Sequence, residues 1–244
     1  MKYELDTHTH TVASGHAYNS MCEMIQAAAT KGLKTIGITD HAPAMPGSTH
    51  RYYFTNLIYM DREELSELYG IEVLFGIEAN IVDKNGKLDM ENEILRKLDV
   101  VIASMHLPCY APGTKEENTN AAIEVLKNPA VDILGHPDDG RYPLDYEVVV
   151  RTAKQYGKLI ELNNSSLKPG AYRKNGRENA LELLRLCKQY KQPIVINSDA
   201  HLMTDVGNRK YVEPLIVETD FPEELIINAS ADDFRKMIQK GRRK

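Results

Sequence analysis

Short apolar runs of β-type residues recur along this chain, and most of them end in a histidine or a carboxylate. Seven of the eight histidines, His8, His10, His16, His41, His106, His136 and His201, stand at or just beyond such ends. Glu78 closes Val-Leu-Phe-Gly-Ile-Glu, and Asp199 closes Ile-Val-Ile-Asn-Ser-Asp two residues before His201. Helical stretches lie between the runs, which is the pattern of parallel strands joined by crossover helices. In barrels of parallel strands, chemistry sits at the C-terminal strand ends and in the loops that follow. All nine residues meet that rule. One histidine at a strand end is more often a core or surface residue, but so many groups at one structural address point to metal chemistry.

The runs predict strands at about 2 to 8, 34 to 39, 72 to 81, 99 to 105, 131 to 135, 158 to 164 and 193 to 198, with a weaker eighth near 225 to 228. Ser20-Met21-Cys22-Glu23 is a capping box. Behind it Met21, Met24, Ile25 and Ala28 share one helical face before Gly32 stops the helix, and that stripe reads as core. Asp145 can cap a helix running to Gly157, another fits about 177 to 191, and Ser230-Ala231-Asp232-Asp233 opens a terminal one. The piece from Ala42 to about Asn56, with two prolines and Gly47, follows a histidine-bearing strand and is expected to be an irregular loop overhanging the site. At 244 residues, a chain of this type folds as one domain: residues 1–244, with a barrel over about 1–230 and a C-terminal helix over about 231–241.

The formal charge of -5 argues against an electrostatic nucleic-acid binder, which needs a basic face. The basic tail from Arg235 to Lys244 reads as a solvated terminal helix. Met1-Lys2-Tyr3-Glu4 leads into the first histidine motif without an apolar run. No stretch approaches the roughly 18 apolar residues of a membrane span. The sequence therefore reads as soluble and cytoplasmic, without a membrane partner. Cys22, Cys109 and Cys187 are odd in number and unclustered, which gives neither a disulfide framework nor a zinc-finger spacing.

Asp6-Thr7-His8-Thr9-His10, Thr39-Asp40-His41, Gly76-Ile77-Glu78, Ser104-Met105-His106, Gly135-His136-Pro137 and Ser198-Asp199-Ala200-His201 arrive in the order of the PHP superfamily motifs. From Leu5 to about Asn208 the chain resembles a stand-alone PHP phosphoesterase, most like the YcdX-type phosphatases. Each motif alone is weak; the ordered set of six is specific. The resemblance implies an α/β fold, a distorted TIM-like barrel of seven parallel strands, with three divalent metal ions, usually zinc and sometimes manganese or iron. Carried over motif by motif, it implies that His8, His10, Glu78 and Asp199 hold one metal. Glu78, His106 and His136 would hold a second, with Glu78 bridging, and His16, His41 and His201 the third. Relatives that form trimers make a homo-oligomer an expectation by analogy only.

The residues support the same chemistry by themselves. Borderline metals favour imidazole, carboxylates can bridge, and three protein ligands leave a position open for water or substrate. Metals roughly 3.5 to 4 Å apart acidify a bound water and neutralise phosphoryl oxygens. The expected activity is hydrolysis of a small phosphate monoester by a metal-activated water, with inorganic phosphate as product. Phosphodiester or nucleic-acid cleavage is the alternative, histidinol-phosphate phosphatase is a substrate-specific variant, and a non-catalytic metal-binding module and amidohydrolase-like C–N hydrolysis are the remaining classes. His50, the histidine outside the set, sits in the expected overhanging loop. It is a candidate to protonate the leaving oxygen or bind phosphate, with a plain surface histidine as the competing reading. Asp6 and Asp40 either orient ligand histidines or cap neighbouring backbone. Asn163, Ser166, Lys168 and Arg173 either contact substrate or belong to a solvated loop.

Overall fold

The computed structural model describes residues 3–242, with side chains through Gln239. Met1 and Lys2, at the head of the sequence, and Arg243 and Lys244, at the end of the basic tail, lie outside them. Seven strands run β1 (Leu5–Thr9), β2 (Thr35–Ile38), β3 (Glu72–Asn80), β4 (Val100–Ser104), β5 (Ile133–Leu134), β6 (Leu159–Asn163) and β7 (Ile194–Asn197). They pair in sequence order, and each neighbouring pair is parallel. Around them lie α1 (Met21–Thr30), α2 (Arg51–Leu57), α3 (Arg62–Tyr69), α4 (Asn92–Leu95), α5 (Lys115–Lys127), α6 (Tyr146–Tyr156), α7 (Gly176–Tyr190), α8 (Glu213–Glu218) and α9 (Ala231–Arg242). This is the expected TIM-like α/β barrel of seven strands.

Local sequence sets several helix ends. Ser20 and Glu23 close the capping box of α1, and Asp145 accepts from Val148 N–H to start α6. Gly157, in the left-handed region, ends α6 without the Cβ penalty other residues would meet there.

Side-chain alternation along the strands divides the interior into two layers. Val73, Phe75 and Ile77 of β3 pack in the larger apolar cluster, with helix residues such as Met24, Ile25 and Leu183. Leu74 joins a second cluster with Leu5, Val100, Ile102, Ile133, Leu159 and Val195. These stand near the beginnings of their strands, and Phe234 and Ile238 of α9 seal them from below. The same strand faces, read two or four residues further on, carry Glu78, Glu161, Asn163 and Asn197. An apolar plug thus fills the N-terminal half of the barrel and leaves the polar chemistry stacked above it.

Side chains close the seam between β1 and β7. At the upper end Thr9 bridges Ala200, with His10 N–H donating to the Ala200 carbonyl at 2.9 Å. Lower down, the buried Asn228 amide donates to the carbonyls of Leu5 and Ile196 and accepts from Ile196 N–H at 2.7 Å. Between them Thr7 N–H donates to Asn197 Oδ1 at 2.9 Å.

Two expectations need correction. The weak eighth strand near 225 to 228 is a pair of 3-10 turns, Glu223–Leu225 and Ile227–Ala229, and Ile226 makes only one bridge, to Ile194. The segment after β2 is irregular only as far as His50, which caps α2. Its aromatic Tyr52-Tyr53-Phe54 is not helix-like by propensity, but the helix buries Phe54 and Leu57 fully, and packing overrides the local preference.

Candidate metal centre

The strand ends deliver the nine expected residues to one place. His8 lies in β1 and His10 just past it, His41 follows β2, and Glu78 is in β3. His106 and His136 each stand two residues beyond a strand, after β4 and β5. Asp199 and His201 follow β7. His16 arrives after a 3-10 turn at Val12–Ser14, where Gly15 has φ 79° and a Cβ would run into the Gly47 carbonyl. All are buried except His201, which is intermediate, and the exposed His16.

Glu78 is the hub. Its Oε1 lies 2.9 Å from His136 Nε2 and 3.3 Å from His106 Nε2. Its Oε2 lies 2.7 Å from His41 Nδ1, 3.4 Å from His8 Nε2 and 3.5 Å from His10 Nε2. Asp199 Oδ1 approaches His10 Nε2 at 3.2 Å and His8 Nε2 at 3.7 Å. The His16 ring stacks between those of His41 and His201 at centroid distances of 4.9 and 4.8 Å. Three overlapping groups have donor atoms within 4.8 Å of one another: His10, His41 and His201; His8, His10 and Glu78; and His41, Glu78 and His106. His41 therefore stands between the Glu78 group and the His16–His201 pair.

The donors fit divalent cations. His8 Nε2, His10 Nε2, His41 Nδ1, Glu78 Oε2 and His136 Nδ1 are buried without a hydrogen-bond partner. Leaving such atoms unmatched costs about 1–3 kcal/mol each, and four of the five converge around Glu78. Imidazole nitrogens with two carboxylates, and no thiolate, suit zinc, manganese or iron.

Neighbours fix which ring nitrogen faces the cluster. Asn80 donates its amide to the Ala42 carbonyl and to Asp89, so its Oδ1 accepts from His106 Nδ1 at 2.8 Å and frees Nε2. Ser14 donates to Asp40, so its oxygen is left to accept from His10 Nδ1 at 3.0 Å. Asp40 thus acts on His10 through Ser14, and it also binds Thr11 N–H and the Tyr53 hydroxyl. Asp6 follows its other expected role: it accepts from Ser198 and from the backbone of Gly207, tying β1 to the loop after β7. His8 Nδ1 lies 2.7 Å from Glu161, a residue absent from the sequence expectations.

Arg173 is drawn into the site. Its side chain is buried, with Nη2 3.1 Å from Asp199 Oδ2 and Nη1 bonded to Asn163 and Ser166. Asn163 and Ser166 are buried too, whereas Lys168 is exposed. With Oδ2 of Asp199 held by Arg173 and Asn163, Oδ1 is presented to the histidines.

Two of the nine residues adopt positive φ, His136 at 27° and Asp199 at 54°. Non-glycine residues there are strained, and such strain concentrates at functional sites. Burial would raise the Glu78 carboxyl, but His8, His106 and His41 overcome it and hold it well below the usual range. Partial desolvation of the ring, together with His41 and His201, lowers His16 to about 4 although the residue as a whole is exposed, leaving its imidazole neutral and available as a ligand.

A cavity of about 650 Å³ opens over the cluster. Its floor includes His16, His41, His106, Asp199 and His201, and its walls include Met45, Pro46, Leu107, Arg141, Lys168 and Tyr172. The segment after β2 therefore borders the site, through Met45 and Pro46. His50 is not among the lining residues; it is exposed, and its Nδ1 accepts from Tyr52 N–H at 3.2 Å as the cap of α2. Cys109, half-buried, is pushed up to about 12 by burial and by the charges of Asp89 and Glu78, which makes it a poor nucleophile. A larger cavity, about 960 Å³, is lined by residues at the opposite strand ends, including the paired Arg62–Asp99 and Arg235–Glu72, and holds none of the clustered histidines.

The model of the PHP domain matches residues 6–196. A protein of Acetivibrio thermocellus named a probable phosphatase is 48% identical over 240 residues, covering 98% of this chain and 97% of the relative. A second protein of that name, from Caldicellulosiruptor saccharolyticus, is 46% identical over 98% of this chain and 97% of its own length. Among solved structures, the histidinol phosphate phosphatase of Lactococcus lactis, complexed with zinc, L-histidinol and phosphate, superposes with a TM-score of 0.63. It is 20% identical, and the match covers 90% of this chain and 95% of that one.

Proposed function

The chain belongs to the PHP domain family, and from that premise we propose that it is a metal-dependent phosphatase that hydrolyses small phosphate monoesters at a three-metal centre. The observation that carries this reading is the convergence of unpartnered, buried ring nitrogens and a carboxylate oxygen on Glu78. Two oxygens facing two sets of histidines support Glu78 as a bridge. His8, His10, Glu78 and Asp199 make one ligand set, Glu78, His106 and His136 a second, and His16, His41 and His201 a third.

When bound, the metals supply an acidified water and positive charge against the phosphoryl oxygens. The chain's own residues prepare the place. Asn80 and Ser14 hold the His106 and His10 rings with Nε2 inward, and Arg173 keeps Asp199 from turning its second oxygen to the cluster. His8, His10, Glu78 and His136 are buried at the inner side of the cluster, so the charges there act at low effective dielectric. The cavity above has the size of a small-molecule site, and Arg141, Lys168 and Tyr172 line the part left for the body of the ester. The likeness to YcdX-type phosphatases belongs to the same proposal, and the zinc of the Lactococcus lactis protein makes zinc the first metal to try.

The test is a comparison of nitrophenyl phosphate with its bis-ester on metal-replete protein. The monoester should be strongly preferred, because three clustered metals can hold a terminal phosphoryl group whose extra charge a diester lacks. Inorganic phosphate should inhibit, and chelation should abolish turnover. A bis-ester preference, or release of mononucleotides from DNA at comparable efficiency, would replace this reading with a phosphodiesterase.

A further inference from the structure

We propose that Glu161 is a positioning residue: one buried carboxylate that fixes which nitrogen of His8 faces the metals and pins the strained backbone of His136. The inference rests on the reading of the cluster as a metal centre.

Hydrogen-bond accounting carries the argument. Glu161 is in β6 and fully enclosed. Its Oε1 contacts His8 Nδ1 at 2.7 Å and Asn197 Nδ2 at 2.9 Å; its Oε2 contacts His136 N at 2.8 Å and Asn163 Nδ2 at 2.9 Å. Three of these four partners have no choice of role. His136 offers a backbone N–H. The Asn197 amide is oriented by Thr7, whose N–H donates to Oδ1, so Nδ2 must donate to Glu161. Asn163 is oriented the same way, because its Oδ1 accepts from Ser166 N–H and from Arg173.

An ionised carboxylate accepts at about four lone-pair positions and donates nothing. With three forced donors already present, the fourth contact is satisfied only if His8 Nδ1 also carries a proton. That leaves the lone pair of His8 on Nε2, the atom that is buried without a partner and lies 3.4 Å from Glu78 Oε2. The other oxygen of Glu161 holds the N–H of His136, whose φ of 27° needs an external restraint to persist. Through Asn163, which also donates to Asp199 Oδ2 at 3.2 Å, the same carboxylate is coupled to the second strained residue. One side chain thereby sets groups that arrive from β1, β5 and β7.

Glu161→Gln tests the assignment at nearly constant volume. Whichever way the new amide turns, its nitrogen points two hydrogens at two groups that are themselves donors. The full chain is loaded with zinc, and zinc retention is measured by elemental analysis across a buffered series of free zinc. Zinc affinity should fall about 10-fold or more in the variant. The second readout is nitrogen NMR of the histidine rings in the zinc-loaded unaltered protein, with His8→Gln used to assign the His8 signals. It needs no folded variant at position 161. His8 should carry its proton on Nδ1.

A His8 protonated on Nε2, or a Glu161→Gln protein whose zinc affinity stays within about twofold, would overturn the inference. A zinc-loaded protein with Nδ1-protonated His8 that hydrolyses no monoester would support the role of Glu161 while ending the phosphatase reading. Unaltered protein that binds neither zinc, manganese nor iron would end both.

Discussion

The Nδ1 of His106 lies 2.8 Å from the side-chain oxygen of Asn80, two residues beyond Glu78 on the same strand. β3 thus supplies both a carboxylate to the cluster and the group that orients one of its histidines. Asn80→Ala removes that orienter, leaves His106 Nδ1 buried without its partner, and takes one of two donors from the Ala42 carbonyl, which keeps Met45 N–H. Metal affinity should fall roughly 10-fold, with a stability loss of about 1–3 kcal/mol from unmatched buried groups. Metal titration and denaturant unfolding check the two effects separately. Unchanged metal affinity would show that the His106 ring needs no orienter.

Glu78→Gln should disturb more than one metal, since both oxygens face histidines and an amide is a poor bridge. His16→Ala, at the exposed edge of the cluster, should mainly empty one. Elemental analysis of both variants decides the matter, and equal single-metal losses would contradict the proposed division of ligands.

His50 is exposed and caps α2. His50→Ala should therefore retain its metals and its turnover of both nitrophenyl and alkyl phosphates, with a stability cost of about 1 kcal/mol or less. A loss of about 10²-fold confined to alkyl leaving groups would instead return His50 to the role of proton donor.

Asn228 carries three hydrogen bonds across the β1–β7 seam. Asn228→Ala leaves backbone groups of Leu5 and Ile196 buried and unmatched, at about 3 kcal/mol in total. Denaturant unfolding in chelator isolates that cost from metal binding. A change within about 0.5 kcal/mol, the range of an ordinary surface substitution, would mean that the seam does not depend on this side chain.

What the sequence makes legible follows from physical range. Strands, their parallel order and the placement of nine polar groups at their ends are written in short stretches, because apolar runs and terminal polar residues are local. Glu161, Asn80 and Asn228 are not legible in the sequence because their partners are distant: Glu161 lies 153 positions from His8, Asn80 26 from His106 and Asn228 223 from Leu5, while Ser14, only 4 from His10, is a residue type too common in turns to stand out. One local signal was available, a glutamate inside the apolar run Leu-Ile-Glu-Leu-Asn, two residues from Leu159 and hence on the same inner face. The eighth strand failed for the opposite reason. Ile226 and Ile227 have strand-like side chains, but Asn228 is used to fill a seam and the backbone turns around it. Residue type and loop position make His50 a candidate in the sequence, and neither reports which way a ring points.

The most direct test of the account is elemental analysis of carefully purified, metal-replete protein, read alongside its monoesterase activity. Nine ligands with one bridge predict about three divalent ions per chain, and activity that disappears on chelation and returns with zinc or manganese. One ion or none per chain, with activity intact, would contradict the three-metal centre.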